Sequence, residues 1–114
     1  MKRRIAMYFI IEYGCDVGTE HLAVEADSLE DAEQYAYQSA YSYRESYEGL
    51  HGVLDFAEFC EEEGYEDEED EHAWEAYANM VEYELHYHAH EFDPENEDDV
   101  SILEDESGGN FFRV

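Results

Sequence analysis

The segment His86-Tyr87-His88-Ala89-His90 groups three side chains able to ligate a metal. Read as the end of a helix, it places His86 and His90 four residues apart, with Glu82 one turn earlier, a set that could share zinc. The plainer reading is a helix C-terminus, where imidazoles are favoured by the macrodipole and by surrounding acids, with His88 helping to close the core. The acidic run Glu61 to Glu71 invites a calcium reading. It lacks the alternating oxygen ligands, the central glycine in register and the terminal glutamate of an EF-hand. No metal site and no cofactor are therefore expected, and the His86/His88/His90 cluster stays as an alternative.

Catalytic chemistry finds little footing. Carboxylates are everywhere, so no pair stands out as acid and base. Cys15 and Cys60 lack a nucleophile's context, and the sequence holds no Gly-rich phosphate loop or serine elbow. The two cysteines read as reduced thiols, with a single disulfide as the lesser alternative. The chain is not expected to be an enzyme.

What the sequence offers instead is charge interleaved with tyrosine. Its 114 residues carry 33 Asp and Glu against 5 Lys and Arg, a net charge of −28. Solubility needs only roughly 2–8 for a small domain, and self-repulsion at this density opposes compaction. Lys2, Arg3 and Arg4 stand at the start and Arg44 and Arg113 are the remaining cations, so Glu45 to Phe112 contains neither Lys nor Arg. Yet 44% of the residues are hydrophobic and 16% aromatic, enough to fold. Such a field repels nucleotides, metabolic anions and anionic lipid.

The acids expected to face a partner are Glu61, Glu62, Glu63, Glu66, Asp67, Glu68, Glu69 and Asp70, continuing through Glu71, Glu75 and Glu82. Among the 11 tyrosines, Tyr37, Tyr41, Tyr83 and Tyr87 lie off the apolar stripes. They read either as filling a small core or as interface anchors, a role in which Tyr is enriched.

These residues need elements to hold them. Arg4 to Tyr13 reads as a central strand, apolar on both faces, with a turn over Gly14 to Gly18 and a returning strand over Thr19 to Ala26. Ser28 caps a helix whose stripe is Ala32, Ala36, Ala40, Tyr43 and Tyr47, ending at Gly49. Tyr37, Tyr41, Glu30, Glu45 and Glu48 fall on its far side. A second helix covers Val53 to Glu63, with Leu54, Ala57 and Phe56 or Cys60 inward and Gly64 as its stop. A third runs from about Asp70 to His90, its stripe being Trp74, Tyr77, Val81, Leu85 and His88. Glu71, Glu75 and Glu82 row its flank, and Tyr83 and Tyr87 lie on its far side. Asp93-Pro94 breaks it. Val100 to Leu103 and Phe111 to Val114 around the Ser107 to Asn110 turn read as a second hairpin, or otherwise as a loose tail over 93–114. The expected fold is one α+β domain over 1–114: an N-terminal antiparallel hairpin packed against about three helices.

Met1 to Ile11 mimics a signal peptide, but its apolar run is short, Glu12 interrupts it and no small-residue cleavage site follows. No segment is long enough to span a bilayer, so no membrane partner is expected. The expected location is the cytoplasm.

Duplex DNA carries one negative charge per roughly 1.7 Å of axis, and its binding proteins make about 6–10 phosphate contacts. On a helix, Glu71 and Glu75 are about 6 Å apart in rise and Glu82 about 10 Å further, a linear row of charge. In this combination of small size, many Glu, Asp and Tyr and few Lys, the chain resembles the DNA-mimic inhibitors of phages and mobile elements. These include anti-restriction proteins, some anti-CRISPR proteins and uracil-DNA glycosylase inhibitors. The resemblance lies in composition and not in a motif. It implies an inhibitor that occupies the basic nucleic-acid-binding cleft of a defence protein in a bacterial host cell, without binding nucleic acid itself. The rivals are an acidic chaperone or adaptor for a basic protein, a halophile protein, and a metal-binding protein built on the histidines. The spare apolar face of the first strand leaves a homodimer open.

Overall fold

The computed structural model describes residues 7–66 and 70–114. An apolar residue at almost every position of the first strand requires cover on both sides, and the topology supplies it. Strand β1 (Met7–Cys15) pairs antiparallel with β2 (Gly18–Ala26) through a turn at Asp16 and Val17, setting Phe9 opposite Val24 and Ile11 opposite Leu22. The other edge of β1 takes β3 (His86–Glu91), also antiparallel, and β2 takes the short β4 (Phe112–Arg113) in parallel. The order is β3-β1-β2-β4, so β1 is interior as its sequence requires. The protein is α+β, with the N-terminal hairpin packed on a helix.

That helix, α1 (Leu29–Ser46), is started by Ser28, whose hydroxyl accepts from the Asp31 amide at 3.1 Å. Ala32, Ala36 and Ala40 are completely buried, and Ala32 and Ala36 pack on Phe9, Ile11, Val24, Ala26 and Ala89. The small side chains let the helix lie close on the sheet. It ends at Ser46, short of Gly49, with the Tyr47 amide bonded to the Arg44 carbonyl. Gly49 instead serves the following turn, at φ +81°.

The second face of the sheet holds Ile10 and Ala23, both buried. Here the sequence expectation of a C-terminal hairpin is corrected. Residues 97–106 are helical: α4 (Glu97–Ser101) runs into one π turn (Ile102–Glu106), and only Phe112–Arg113 extends the sheet. Local polar bonds decide the matter. Asn96 accepts from the Asp98 and Asp99 amides, and three acids in the first turn suit the helix N-terminus. The segment is firmly attached and is no loose tail. Ser107 accepts from the Ala23 amide, the Val114 amide donates to the Glu25 carbonyl, and Phe111 packs on Tyr8 and Phe92. On the spare apolar face of β1, Ile10 is thereby covered from within the chain, while Tyr8 stays 44% exposed.

Helix α2 (Phe56–Glu63) begins in a capping box between Asp55 and Glu58 and stops at Gly64 in the left-handed conformation. Phe59 and Cys60 point inward, whereas Ala57 is exposed, contrary to the expected stripe. Helix α3 (Glu71–Glu84), capped by Asp70, is shorter than expected. The chain turns extended at Leu85, and His86 to Glu91 form β3. The unpaired edge of β1 accounts for this, because its buried amides and carbonyls need a ladder partner. Gly14 shapes the same edge: a β-carbon there would sit 2.1 Å from the Gly18 carbonyl oxygen and 2.9 Å from His86 Nε2. Cys15 and Cys60 are buried and outside any disulfide.

A second core joins Cys15, Ala40, Phe59, Tyr77, Val81 and Leu85. Beside it lies Arg44, 0% exposed. Its Nε donates to Glu84 at 2.6 Å, one Nη to Glu48 and the Tyr77 hydroxyl, and the other to the Leu54 carbonyl at 3.0 Å. Burial acts to lower the guanidinium's pKa, but the Glu84 and Tyr77 bonds outweigh it and hold it above its usual value. Arg44→Met should lower unfolding free energy by about 3–5 kcal/mol, since it strands the carboxylate of Glu84. Arg44→Lys should fall in between, keeping the charge but losing the fork. Urea denaturation midpoints of the three proteins check this.

Candidate functional site

Tyr37 sits one helical turn from Glu33 and Gln34, and Glu30 is one turn earlier, so α1 presents all four on one side. Across from them α3 presents Glu82 and β3 presents Tyr87. Together they line an open groove of about 440 Å³. The Tyr37 hydroxyl donates a short hydrogen bond to Glu82, and its ring meets Tyr87 edge-on with centroids 5.2 Å apart. Residues from three elements are thus held in fixed relation by one aromatic contact and one charge-assisted hydrogen bond.

The Glu82 bond, followed by desolvation and by the charge of the same carboxylate, pushes the Tyr37 pKa up to about 12. Neither described cation answers these acids. Arg44 is buried in its own network, and Arg113 pairs with Asp27 at 2.7 Å. The walls present three carboxylates, two phenol rings and one amide. Such a lining, with three carboxylates and no cation, suits a cationic side chain and repels an anion.

Along α3, Glu71, Glu75 and Glu82 are all exposed, within a narrow angular sector about the helix axis. The expected row of charge therefore exists, and its last member is also a groove wall. Glu61, Glu62 and Glu63 are exposed on the last turn of α2, Glu66 is exposed after it, and Asp70 caps α3 through the His72 amide. Asp67, Glu68 and Glu69, expected in the same face, lie outside the described residues. Tyr41 is exposed on α1 but does not line the groove, and Tyr83 stands 91% exposed on α3. Tyr83 and Tyr87 do not share a helix face as expected, because Tyr87 belongs to β3.

Sequence reasoning missed Glu33 and Gln34, and it placed Glu30 only on the far side of the helix, facing water or a partner. The signal was available: all three sit three, four or seven residues before Tyr37, on its side of the helix. Trp74, read as core, is 52% exposed.

The histidine cluster is corrected. The helical spacing that joined His86, His90 and Glu82 does not occur, because the histidines alternate along β3, on the sheet face away from α1. His86 Nε2 bonds the Thr19 hydroxyl at 2.7 Å, and His90 Nε2 bonds Asp99 at 2.9 Å, while Glu82 is engaged by Tyr37. Among the described residues no three His, Cys, Asp or Glu side chains are placed to hold a metal ion. No described helix is long and apolar enough to cross a membrane.

Comparison of the chain with family models, with curated proteins and with solved structures finds no match.

The Tyr37–Glu82 bond has a pH signature. Tyr37 stays neutral in the fold up to about pH 12, whereas an unfolded tyrosine ionises near pH 10. Its stabilisation is complete below pH 10 and is lost as pH rises through 12, where the folded phenol must ionise. In Glu82→Gln one tyrosine should titrate closer to 10, seen as an added ultraviolet phenolate step in a spectrophotometric titration.

Proposed function

We propose that this protein is a non-catalytic nucleic-acid mimic that occupies the basic cleft of a bacterial defence protein, of the kind targeted by anti-CRISPR or anti-restriction inhibitors. The observation that carries the reading is the exposed row Glu71, Glu75 and Glu82 running into a groove walled by Glu30 and Glu33, with no described cation lining it. Acids fixed on helices hold the spacing a rigid basic cleft requires. An acidic chaperone of free basic tails has no such need.

The mechanism is competition. The carboxylates take the places of phosphates against the target's Lys and Arg, and the true substrate is kept out. Charge supplies fast capture at low salt. Lasting affinity needs rigid aromatic groups that desolvate on contact, because lost rigid-body freedom offsets much of the electrostatic gain. Tyr37 and Tyr87, locked on one another, qualify. The work of the face is done by binding alone, and the location that suits it is the bacterial cytoplasm.

A labelled duplex and a basic duplex-binding defence nuclease provide the test. The protein should displace the duplex from the nuclease, bind no duplex itself, and lose potency as salt rises. Glu71→Lys, Glu75→Lys and Glu82→Lys combined should weaken inhibition by more than about a hundredfold, since on the order of 1 kcal/mol per contact is lost in water and repulsion from each Lys adds to it. Glu20→Lys with Glu25→Lys on β2 should cost much less. A complex holding protein, nuclease and duplex together would contradict competition, and equal loss from both sets would mean that placement of the charge is irrelevant.

A further inference from the structure

We propose that Trp74 is an arginine anchor: its outer ring face receives a guanidinium from the cationic partner, and this makes the docking face prefer arginine to lysine. The inference rests on the reading above, that this surface meets a basic protein.

Trp74 lies in the first turns of α3, between the buried side marked by Tyr77 and Val81 and the exposed side marked by Glu71 and Glu75. Its inner face is occupied. The indole stacks on Phe56 of α2 with centroids 3.7 Å apart and planes 13° from parallel. Phe56 is backed by Tyr77, centroids 5.3 Å apart, and Tyr77 is tied through its hydroxyl to Glu48 and the Leu54 carbonyl. The stack is therefore fastened to the Arg44 network, so the ring loses little freedom when something settles on it.

The outer face is open, with 52% of the residue exposed. Tryptophan is among the side chains most enriched at binding hot spots. Charge complementarity says what fits it. Asp70 and Glu71 stand one turn before Trp74 and Glu75 immediately after it, and no Lys or Arg lies between Glu45 and Phe112 in the sequence. The negative quadrupole of the indole face adds to this field. Indole binds cations better than the other aromatic rings do. Arginine suits it best, since the planar guanidinium can lie flat on the ring while its edge donors reach the flanking carboxylates. A lysine ammonium gains the charge and not the stacking. The protein already holds one such contact internally, with the Arg44 guanidinium carbon 5.6 Å from the Tyr77 ring centroid.

Trp74 is the chain's only tryptophan, so it reports on itself. The probes are two peptides of equal length and charge, oligo-arginine and oligo-lysine, added to the full chain at low salt. Oligo-arginine should shield Trp74 from acrylamide quenching and bind about two- to fivefold tighter than oligo-lysine. Trp74→Leu should erase that preference while leaving salt-dependent binding of both peptides. Circular dichroism establishes that the variant is folded, and the wild-type quenching result stands without it. Equal affinity for both peptides with Trp74 equally quenchable overturns the anchor and leaves the charge-based reading intact. Failure of both peptides to bind overturns the anchor together with the reading of the face as a receiver of cations.

Discussion

A chain with 33 acids and 5 basic residues must be very particular about where its few cations go. Arg44 is completely buried and ties α1 to Glu84 and Tyr77 of α3 and to the Leu54 carbonyl that precedes α2. Removing a guanidinium from water is costly, and the geometry answers with four hydrogen-bond partners around it. The same contact cancels Glu84 and Glu48 where acids would otherwise crowd together. Because this junction is fixed, α3 lies beside α1 with Glu82 against Tyr37, and Tyr77 is placed to support the Phe56–Trp74 stack. Groove and aromatic platform both hang from one buried cation.

The remaining charge is managed by position. All but one of the described acids are half-buried or exposed, on helices, loops and strands alike, and the apolar residues form two cores. The exception among the described acids, Asp99, is buried but bonded to His90 and the Asp93 amide, which closes the C-terminal segment over the second sheet face. Mutual repulsion across the outer surface persists, and a basic partner would relieve it on binding. On the proposed reading the free protein holds in reserve an attraction that only its target can satisfy.

Much of this was legible in the residues. β1, β2 and α1 followed from apolar alternation, the Ser28 cap and the alanine stripe, all of them local and mutually consistent signals. The row of acids on α3 followed from helical spacing. Legibility failed where two periods fitted one segment. His86, His88 and His90 alternate as a strand requires, yet His86 and His90 also match one helical turn, and the Tyr77, Val81, Leu85 stripe extended the helix past its end. The unpaired edge of β1, a fact about distant residues, decided it. Phe111 is half-buried against Tyr8 and Phe92 while Phe112 stays exposed, and the helical turn before them came from Asn96 and Asp99 bonding nearby amides. Arg44 gave no sign of its role, since a lone arginine late in a helix reads as a surface residue. Trp74 deceived for the opposite reason: its place in the stripe suggested core, yet the Phe56 stack covers one ring face and the residue is half exposed.

The central claim is that one placed face, and not bulk charge, meets the partner. Carbodiimide labelling of carboxylates, read by mass spectrometry with and without a captured basic nuclease, tests it most directly. The account predicts protection of Glu30, Glu33, Glu71, Glu75 and Glu82, while Glu95, Glu97 and Glu104 across the sheet label as they do in the free protein. Uniform protection, or protection centred on Glu95 to Glu104, would contradict it.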